Sequence, residues 1–243
     1  VVTLGYLRRT LAFCRSLFNH NELQVPLRVD VARFFSQVLA TLTRFAPSLD
    51  TGFNDAQRKE MMDALGEAGS QYRWGFYQHG LSEAMQSLPA REISRFLELA
   101  QAYVDQSLRA NRRPDGLYHA YNTLKLSPDG ATVQHMYEML EGQVSILSSG
   151  LLSGEEALRL LESLRTGRLY RADQHSYILY PDRELPGFLE KNCIAPEQVQ
   201  RLELVRTLEA AQDKRLLSAD VDGFYHFNGF FSEQANRKWF SSR

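Results

Sequence analysis

One polar, aromatic phrase occurs twice in the sequence, and its residue types could do chemistry. "DGLYHAYN" covers residues 115–122, and "DGFYHFN" covers residues 222–228. In each phrase an Asp-Gly pair predicts a tight turn, with Tyr and His directly after it. Carboxylate, imidazole, phenol and amide groups suit a sugar site, because aromatic rings stack on sugar faces while polar groups bind hydroxyls.

The two phrases supply most of the predicted site residues. We predict Asp115 as an acid/base carboxylate, Tyr118 and Tyr225 as stacking platforms, and His119, Asn122, Asp222 and His226 as hydroxyl ligands. The alternative is two unrelated Asp-Gly turns whose aromatic residues anchor loops to the core. The phrases lie far apart in the sequence, so only the fold could bring them to one site.

Residues 171–186, "RADQHSYILYPDRELP", form the second candidate. Asp173 and Asp182 are predicted as further acid/base carboxylates, His175 as a hydroxyl ligand and Tyr177 as a platform. A loop with this many titratable groups could form one wall of a cleft. The alternative is a self-packed surface loop closed by Asp–Arg pairs.

Residues 135–143, "HMYEMLEGQ", form a third candidate within a predicted helix. Helical spacing would make Glu138 a neighbour of both His135 and Glu141. Two close carboxylates can have separated pKa values, as an acid and a base require. The same residues on a solvated helix surface would be no more than charged.

Several classes of protein and site find no support in the sequence. The net charge is −1 and no basic stripe occurs, so no nucleic-acid partner is predicted. No apolar run approaches 18 residues, so no membrane span is predicted. The common phosphate-loop, dinucleotide, zinc-protease and kinase motifs are missing, and no two histidines have ligand spacing, so neither a cofactor nor a metal is predicted. Two distant cysteines, Cys14 and Cys193, favour a reducing compartment and hence a cytoplasmic location.

Helical periodicity dominates the elements that must position these residues. Helices are predicted over residues 4–18, 29–45, 54–80, 88–113, 132–147, 153–167 and 196–217, with a last one beginning near Ser232. No alternation of strands and helices appears, which argues against a doubly wound sheet. The predicted class is all-α: an irregular multi-helix array or part of an α/α toroid. It has long polar-aromatic loops, and a short β-hairpin or loop near residues 216–229.

The length fits a single helical domain over residues 1–243, or a subdivision into N-terminal helices (1–113) and a loop-rich half (114–243). The opening "VVTLGYLRRTLAF" already has the pattern of a helix from the middle of a protein. We therefore expect the chain to be a fragment of a longer polypeptide, whose remainder would be a partner in any site.

Residues 136–192 and the phrase "DVDGFYHFNG" (220–229) resemble an interior stretch of large, mostly uncharacterised bacterial proteins. The resemblance implies α/α-toroid character of the six-hairpin glycosidase type, or a sugar-phosphorylase-like region. It supplies no catalytic residue that could be assigned to a position in this sequence.

The leading functional hypothesis is a carbohydrate-active helical region, glycoside hydrolase-like or phosphorylase-like, that acts on or binds a saccharide. Glycoside hydrolysis needs two facing carboxyl groups. The alternative is a non-catalytic helical scaffold or interaction module of a larger protein. A third hypothesis is a helical regulatory domain that binds a ligand.

Overall fold

The computed structural model describes residues 1–18, 23–187, 191–199 and 201–228. The helix predicted to begin near Ser232 lies outside the described residues. Contacts within the chain define two compact units, Val1–Pro181 and Asp182–Arg243. The single helical domain and the subdivision after residue 113 stay predictions.

The first unit contains seven helices and three antiparallel strand pairs in its described part. The helices are α1 (Val2–Leu17), α2 (Val29–Phe45), α3 (Ser48–Thr51), α4 (Asp55–His79), α5 (Ala90–Ala110), α6 (Leu140–Ser148) and α7 (Gly154–Thr166). The strands are β1 (Gln24–Arg28), β2 (Met85–Pro89), β3 (Asn122–Ser127), β4 (Gly130–His135), β5 (Tyr170–Arg171) and β6 (Ser176–Tyr177).

Polar residues cap the starts of α4 and α7. Asn54 and Gln57 form a reciprocal capping box at α4, and Ser153 and Glu156 form another at α7. Each box satisfies backbone N–H groups that the first turn of a helix leaves without partners. The helices predicted over 29–45 and 54–80 are confirmed within one residue, as is the Ser153–Glu156 box.

The main core of the first unit joins helices that are distant in sequence. Leu11, Leu97, Val104, Leu108, Tyr118, Ile146 and Leu160 form one buried cluster from α1, α5, α6, α7 and the turn before β3. A second cluster joins α2 to α5 through Leu42, Phe45 and Tyr103. The Tyr103 hydroxyl donates to the Leu42 carbonyl at 2.7 Å, so the phenol is satisfied inside this apolar contact.

Strands β1 and β2 pair as a two-stranded ribbon, and three helices lie between them in the sequence. Gln24 pairs with Pro89 and Arg28 with Met85, so α2, α3 and α4 lie between two strands that are side by side. The Val29 N–H donates to the Ala84 carbonyl at 3.0 Å, where the chain leaves and re-enters the ribbon. The helical periodicity of the sequence did not predict this ribbon.

The helix predicted over 132–147 is wrong in its first half. Gly130–His135 is strand β4, which folds back on β3 through the Pro128-Asp129 turn, and α6 begins only at Leu140. The turn places Thr132 and Val133 opposite Lys125 and Leu124, and β-branched side chains favour such pairing. The protein is mostly helical with small hairpins, so the all-α prediction is confirmed only in part.

The second unit, in its described residues, has a three-stranded antiparallel sheet and two short helices. The elements are β7 (Cys193–Ile194), α8 (Pro196–Val199), α9 (Glu203–Ala210), β8 (Leu217–Ala219) and β9 (Tyr225–Phe227), with strand order β7-β9-β8. The hairpin predicted near residues 216–229 is confirmed as β8 and β9. The single helix predicted over 196–217 is wrong: two short helices, α8 and α9, lie in this range, and the second ends at Ala210. Leu217 already belongs to β8 and packs with Val199 and Val205.

Across the described ranges, no helix is long and apolar enough to cross a membrane.

Two glycines in helices give opposite predictions for alanine. A Cβ at Gly5 in α1 would lie 2.9 Å from the Ser145 carbonyl oxygen in α6, whereas a Cβ at Gly66 in α4 meets nothing within 4 Å. Alanine gains roughly 1 kcal/mol of helix propensity at either site. At Gly5 the clash outweighs this gain, since overpacking costs about 1–3 kcal/mol.

We therefore expect Gly5→Ala to lower the free energy of unfolding and Gly66→Ala to raise it, as measured by urea denaturation. Equal shifts in the two variants would contradict the close contact between α1 and α6.

Candidate functional site

Asp115 forms the turn of the first phrase and is held by an arginine. Arg113 donates to both carboxylate oxygens of Asp115 at 2.8–3.1 Å, and the Leu117 N–H donates to Oδ1 at 3.1 Å. The hydrogen bonds from Arg113 hold the pKa of Asp115 below its usual value. Gly116 completes the turn with φ of +85°, a conformation that favours glycine.

Tyr118 lies in the core, whereas the sequence predicted it as a stacking platform for a sugar ring. Tyr118 is 3% exposed and belongs to the main apolar cluster. Burial also raises the pKa of its hydroxyl. The ring therefore presents no open face to a sugar in this structure.

The buried amide of Gln143 fixes the backbone of this turn. Its Oε1 accepts from the Tyr118 N–H at 2.9 Å, and its Nε2 donates to the carbonyls of Tyr118 and Met139 at 2.7 and 3.0 Å. Gln143 has no solvent exposure, so these bonds satisfy groups that water does not reach. The turn is thereby tied to α6.

His119 forms a pair with His135, the last residue of β4. The two imidazole rings are stacked with centroids 4.0 Å apart and planes 6° apart. His119 Nδ1 lies 3.2 Å from the Met136 carbonyl, and His135 Nδ1 lies 2.9 Å from Asn122 Oδ1. Both partners are oxygen acceptors, so each Nδ1 carries the proton and each Nε2 remains an acceptor in the neutral ring.

Asn122 and Asn111 set the orientation of this histidine pair. Asn122 Nδ2 donates to Asn111 Oδ1 at 2.8 Å, and Asn111 Nδ2 donates to the Ser107 carbonyl at 2.8 Å. The chain of amides thus begins at α5 and ends at the imidazole of His135. Of the predicted residues, the fold brings His119 and Asn122 together, and the spacing of the sequence did not predict His135 as their neighbour.

Two further side chains border this cluster. The half-exposed Tyr121 donates its hydroxyl to Glu141, which raises the pKa of that phenol. Glu138 is nearly buried and lies 3.5 Å from Arg113 and 3.7 Å from Arg168. Glu138 lies between β4 and α6 whereas Glu141 lies in α6, so the helix predicted over 132–147 does not carry both.

Residues 171–186 begin with the hairpin of β5 and β6. Arg171 donates to both oxygens of Asp173 at 3.0 and 2.9 Å, and these bonds lower the pKa of that carboxyl. His175 lies in the turn with φ of +48°, and its Nδ1 is 3.2 Å from the Tyr170 hydroxyl. The Tyr177 ring packs against Tyr170 with centroids 5.3 Å apart. The alternative prediction for residues 171–186 was a self-packed surface loop closed by Asp–Arg pairs, and the Arg171–Asp173 pair in this hairpin is of that kind.

Asp182 is the first residue of the second unit and is exposed to solvent. It lies five residues after Tyr177 in the sequence, and the two residues belong to different compact units.

The second phrase is organised by an aspartate that precedes it. Asp220 Oδ1 accepts from the backbone N–H groups of Asp222 and Phe224 at 3.0 and 2.9 Å, and Asp220 Oδ2 lies 2.8 Å from His226 Nε2. The hydrogen bond from His226 is the main cause of the lowered pKa of Asp220. Gly223 has φ of +82° within this turn. Asp222 itself contributes its backbone rather than its carboxylate to the turn.

Tyr225 lies beside a cleft in the second unit. Its hydroxyl donates to Glu209 Oε1 at 2.8 Å, and this bond raises the pKa of the phenol. The cleft has a volume of about 370 Å³, within the usual range for small-ligand sites. Polar groups around it come from Glu209, Gln212, Asp213, Lys214 and Ser218. The predicted residue Tyr225 thus lines a cavity, and sequence reasoning missed Glu209 and Asp220.

Within the described parts of the chain, no three His, Cys, Asp or Glu side chains gather as a metal site requires.

Comparison with protein-family models gives a match in the second unit. Residues 185–238 match the family model described as GH149 phosphorylase insertion domain 2. This stretch lies in the second unit and includes the Asp220 turn and the cleft beside Tyr225. No curated protein sequence matches the chain.

The histidine pair predicts a pH dependence. Burial, and secondly the neighbouring His135, lower the pKa of His119. A histidine whose pKa is lowered by folding binds fewer protons in the folded state, so stability falls as the pH falls through the unfolded value of about 6.5.

We expect the imidazole Cε1–H resonance of His119 to titrate with a midpoint below 6.5, and His135→Asn to move that midpoint upward. His175→Asn, in another hairpin, serves as the control and leaves the midpoint unchanged. An unshifted midpoint in the unmodified chain would contradict the partial burial of His119 beside His135.

Proposed function

We propose that the chain is a saccharide-binding part of a carbohydrate-active, phosphorylase-related protein, in which Asp115 and Asp173 stabilise turns and do not act as catalytic acids. The observation that carries this proposal is the match of residues 185–238 to a phosphorylase insertion domain. An insertion domain is part of a larger protein, which fits the expected longer polypeptide. The α/α toroid and the cytoplasmic location remain predictions.

The state of the predicted acids supports a binding role. A phosphorylase that works like a glycoside hydrolase uses phosphate in place of water, and a carboxylic acid of the protein protonates the leaving oxygen. Such an acid needs a pKa near the operating pH. Asp115 and Asp173 are instead each paired with an arginine two residues away, which holds their pKa values below the usual range.

The cleft of the second unit supports saccharide binding. Tyr225 offers an aromatic ring, and Glu209, Gln212 and Ser218 offer oxygen and nitrogen atoms that could bind hydroxyl groups. Its volume suits one or two sugar rings. The Tyr225–Glu209 hydrogen bond fixes the ring before any ligand arrives, which reduces the entropy lost on binding.

The burial of Tyr118 favours the scaffold alternative for the first phrase. Its ring packs in the core and its backbone is satisfied by Gln143. We propose that residues 115–118 act as a structural anchor. In that case the similarity between the two phrases lies in their turns rather than in a shared ligand.

Binding is tested by calorimetric titration of the full chain with glucose, glucose 1-phosphate and glucose disaccharides. We expect Tyr225→Ala to weaken the binding of a saccharide about fivefold to tenfold, because an aromatic contact is worth roughly 1 kcal/mol. Phe224→Ala is the matched control, since Phe224 is in the same turn and does not line the cleft. Unchanged affinity in Tyr225→Ala would overturn the assignment of this cleft.

Catalysis is tested in the intact source protein. We expect Asp115→Asn and Asp173→Asn each to leave the rate of sugar 1-phosphate release within about threefold. Loss of a general acid would instead cost about 10²–10⁴-fold. A loss of that size in a variant whose melting temperature is unchanged would show that the carboxylate is catalytic and would contradict the proposal.

A further inference from the structure

A second cleft lies in the first unit, between α2 and α4. Its volume is about 390 Å³, and it combines aromatic and polar side chains. The residues used below are the aromatic Phe34, Tyr72 and Phe76 and the amides Gln37 and Gln71. None of these residues was singled out by the two phrases or by the loop of residues 171–186.

Two aromatic rings of the cleft are held in place before any ligand binds. Phe34 and Tyr72 are stacked with ring centroids 5.2 Å apart and planes 20° apart, and both are half-buried. Phe76, one turn further along α4, is 46% exposed. Flat aromatic faces held at the border of a cleft suit the apolar faces of a pyranose ring, which carry C–H groups.

Hydrogen bonds also hold polar side chains of the cleft in place. Gln37 Nε2 donates to Gln71 Oε1 at 2.9 Å, which joins the two helices and orients both amides. Asp30 Oδ2 accepts from the Ser82 N–H at 2.7 Å at the other end of the cleft. Amide and carboxylate groups with set directions can bind several neighbouring hydroxyls at low entropic cost.

The charges in the cleft favour a neutral ligand. Among its lining residues, Asp30 and Arg33 carry one charge of each sign. A site for phosphate groups would show an excess of cations. Hydroxyl groups match this mixture of donors and acceptors better than an anion does.

A glycine keeps the cleft open. Gly75 of α4 lines the cleft, and a Cβ at this position would meet nothing within 4 Å. Any side chain there would occupy space that a ligand could use. Glycine in a helix interior costs roughly 1 kcal/mol relative to alanine, and no close packing requires it here.

We propose that the cleft between α2 and α4 binds a neutral pyranose ring of a saccharide. One face of the ring packs on Tyr72 and Phe76, and its hydroxyls bind the amides of Gln37 and Gln71. This inference rests on the proposed function for the class of ligand, but its site lies in the first unit and is separate from the cleft beside Tyr225.

The experiment uses Trp74, which neighbours Gly75 and is 63% exposed, as a fluorescent reporter. The sequence has two tryptophans, so Trp239→Phe leaves Trp74 as the single indole. In this background the full chain is titrated with methyl β-glucoside and with α-1,4-, β-1,4-, β-1,3- and β-1,6-linked glucose disaccharides.

We expect a saturable change in Trp74 emission with at least one of these probes. Gly75→Leu should weaken that binding at least tenfold because its side chain fills the cleft. Gly66→Leu, in the same helix and outside the cleft, should leave it unchanged. Gln71→Ala provides a second variant that does not add bulk, with an expected loss of about threefold to tenfold.

Two results would overturn the inference: no change in Trp74 emission with any probe, or equal affinity in the Gly75→Leu and Gly66→Leu variants. The proposed function has its own readout. If calorimetry detects a saccharide whose binding depends on Tyr225 while Trp74 does not respond, this inference fails and the proposed function stands. If Trp74 responds and Tyr225→Ala changes nothing, the assignment of the cleft beside Tyr225 fails instead.

Discussion

The arrangement of the first unit depends most on one buried amide. Gln143 satisfies both backbone groups of Tyr118 and thereby holds the turn of residues 115–119 against α6. An unsatisfied buried polar group costs roughly 1–3 kcal/mol, so replacing this side chain would leave several such groups at once. The position of the Tyr118 ring in the core and that of His119 beside His135 both follow from this tie.

An Asp–Arg ion pair recurs in three turns, and two of these turns lie in segments where the sequence predicted chemistry. Arg113 with Asp115, Arg171 with Asp173, and Asp213 with Arg215 are each two residues apart, and each arginine donates to both carboxylate oxygens. In the last pair the pKa of Asp213 falls to about 2. Such carboxylates hold a turn in shape, and the same pairing keeps them ionised, which makes them poor proton donors.

The sequence predicted best where a single element determines its own structure. The helices α2 and α4 combine apolar periodicity with a polar first turn or cap, and both were found where predicted. Strand β4 was missed because Thr132–His135 fits either period, and the pairing with β3 decides between them.

The site residues were harder to predict for a similar reason. Tyrosine suits a core or a sugar site equally, so the burial of Tyr118 required knowledge of the surrounding helices. The acceptor at Asp220 was missed because turn geometry, rather than the repeated phrase, selects the carboxylate that closes the turn. The clefts could not be predicted at all, since each is formed by residues from separate elements.

The ribbon of β1 and β2 has a consequence for how chains of this kind can vary. The Val29 N–H donates to the Ala84 carbonyl, so the two ends of the helical segment between β1 and β2 lie next to each other. Residues can then be added to or removed from the connections between α2, α3 and α4 without changing the register of Gln24 with Pro89. Among related sequences, we expect differences in length to concentrate in these connections, while the paired strands keep a constant length.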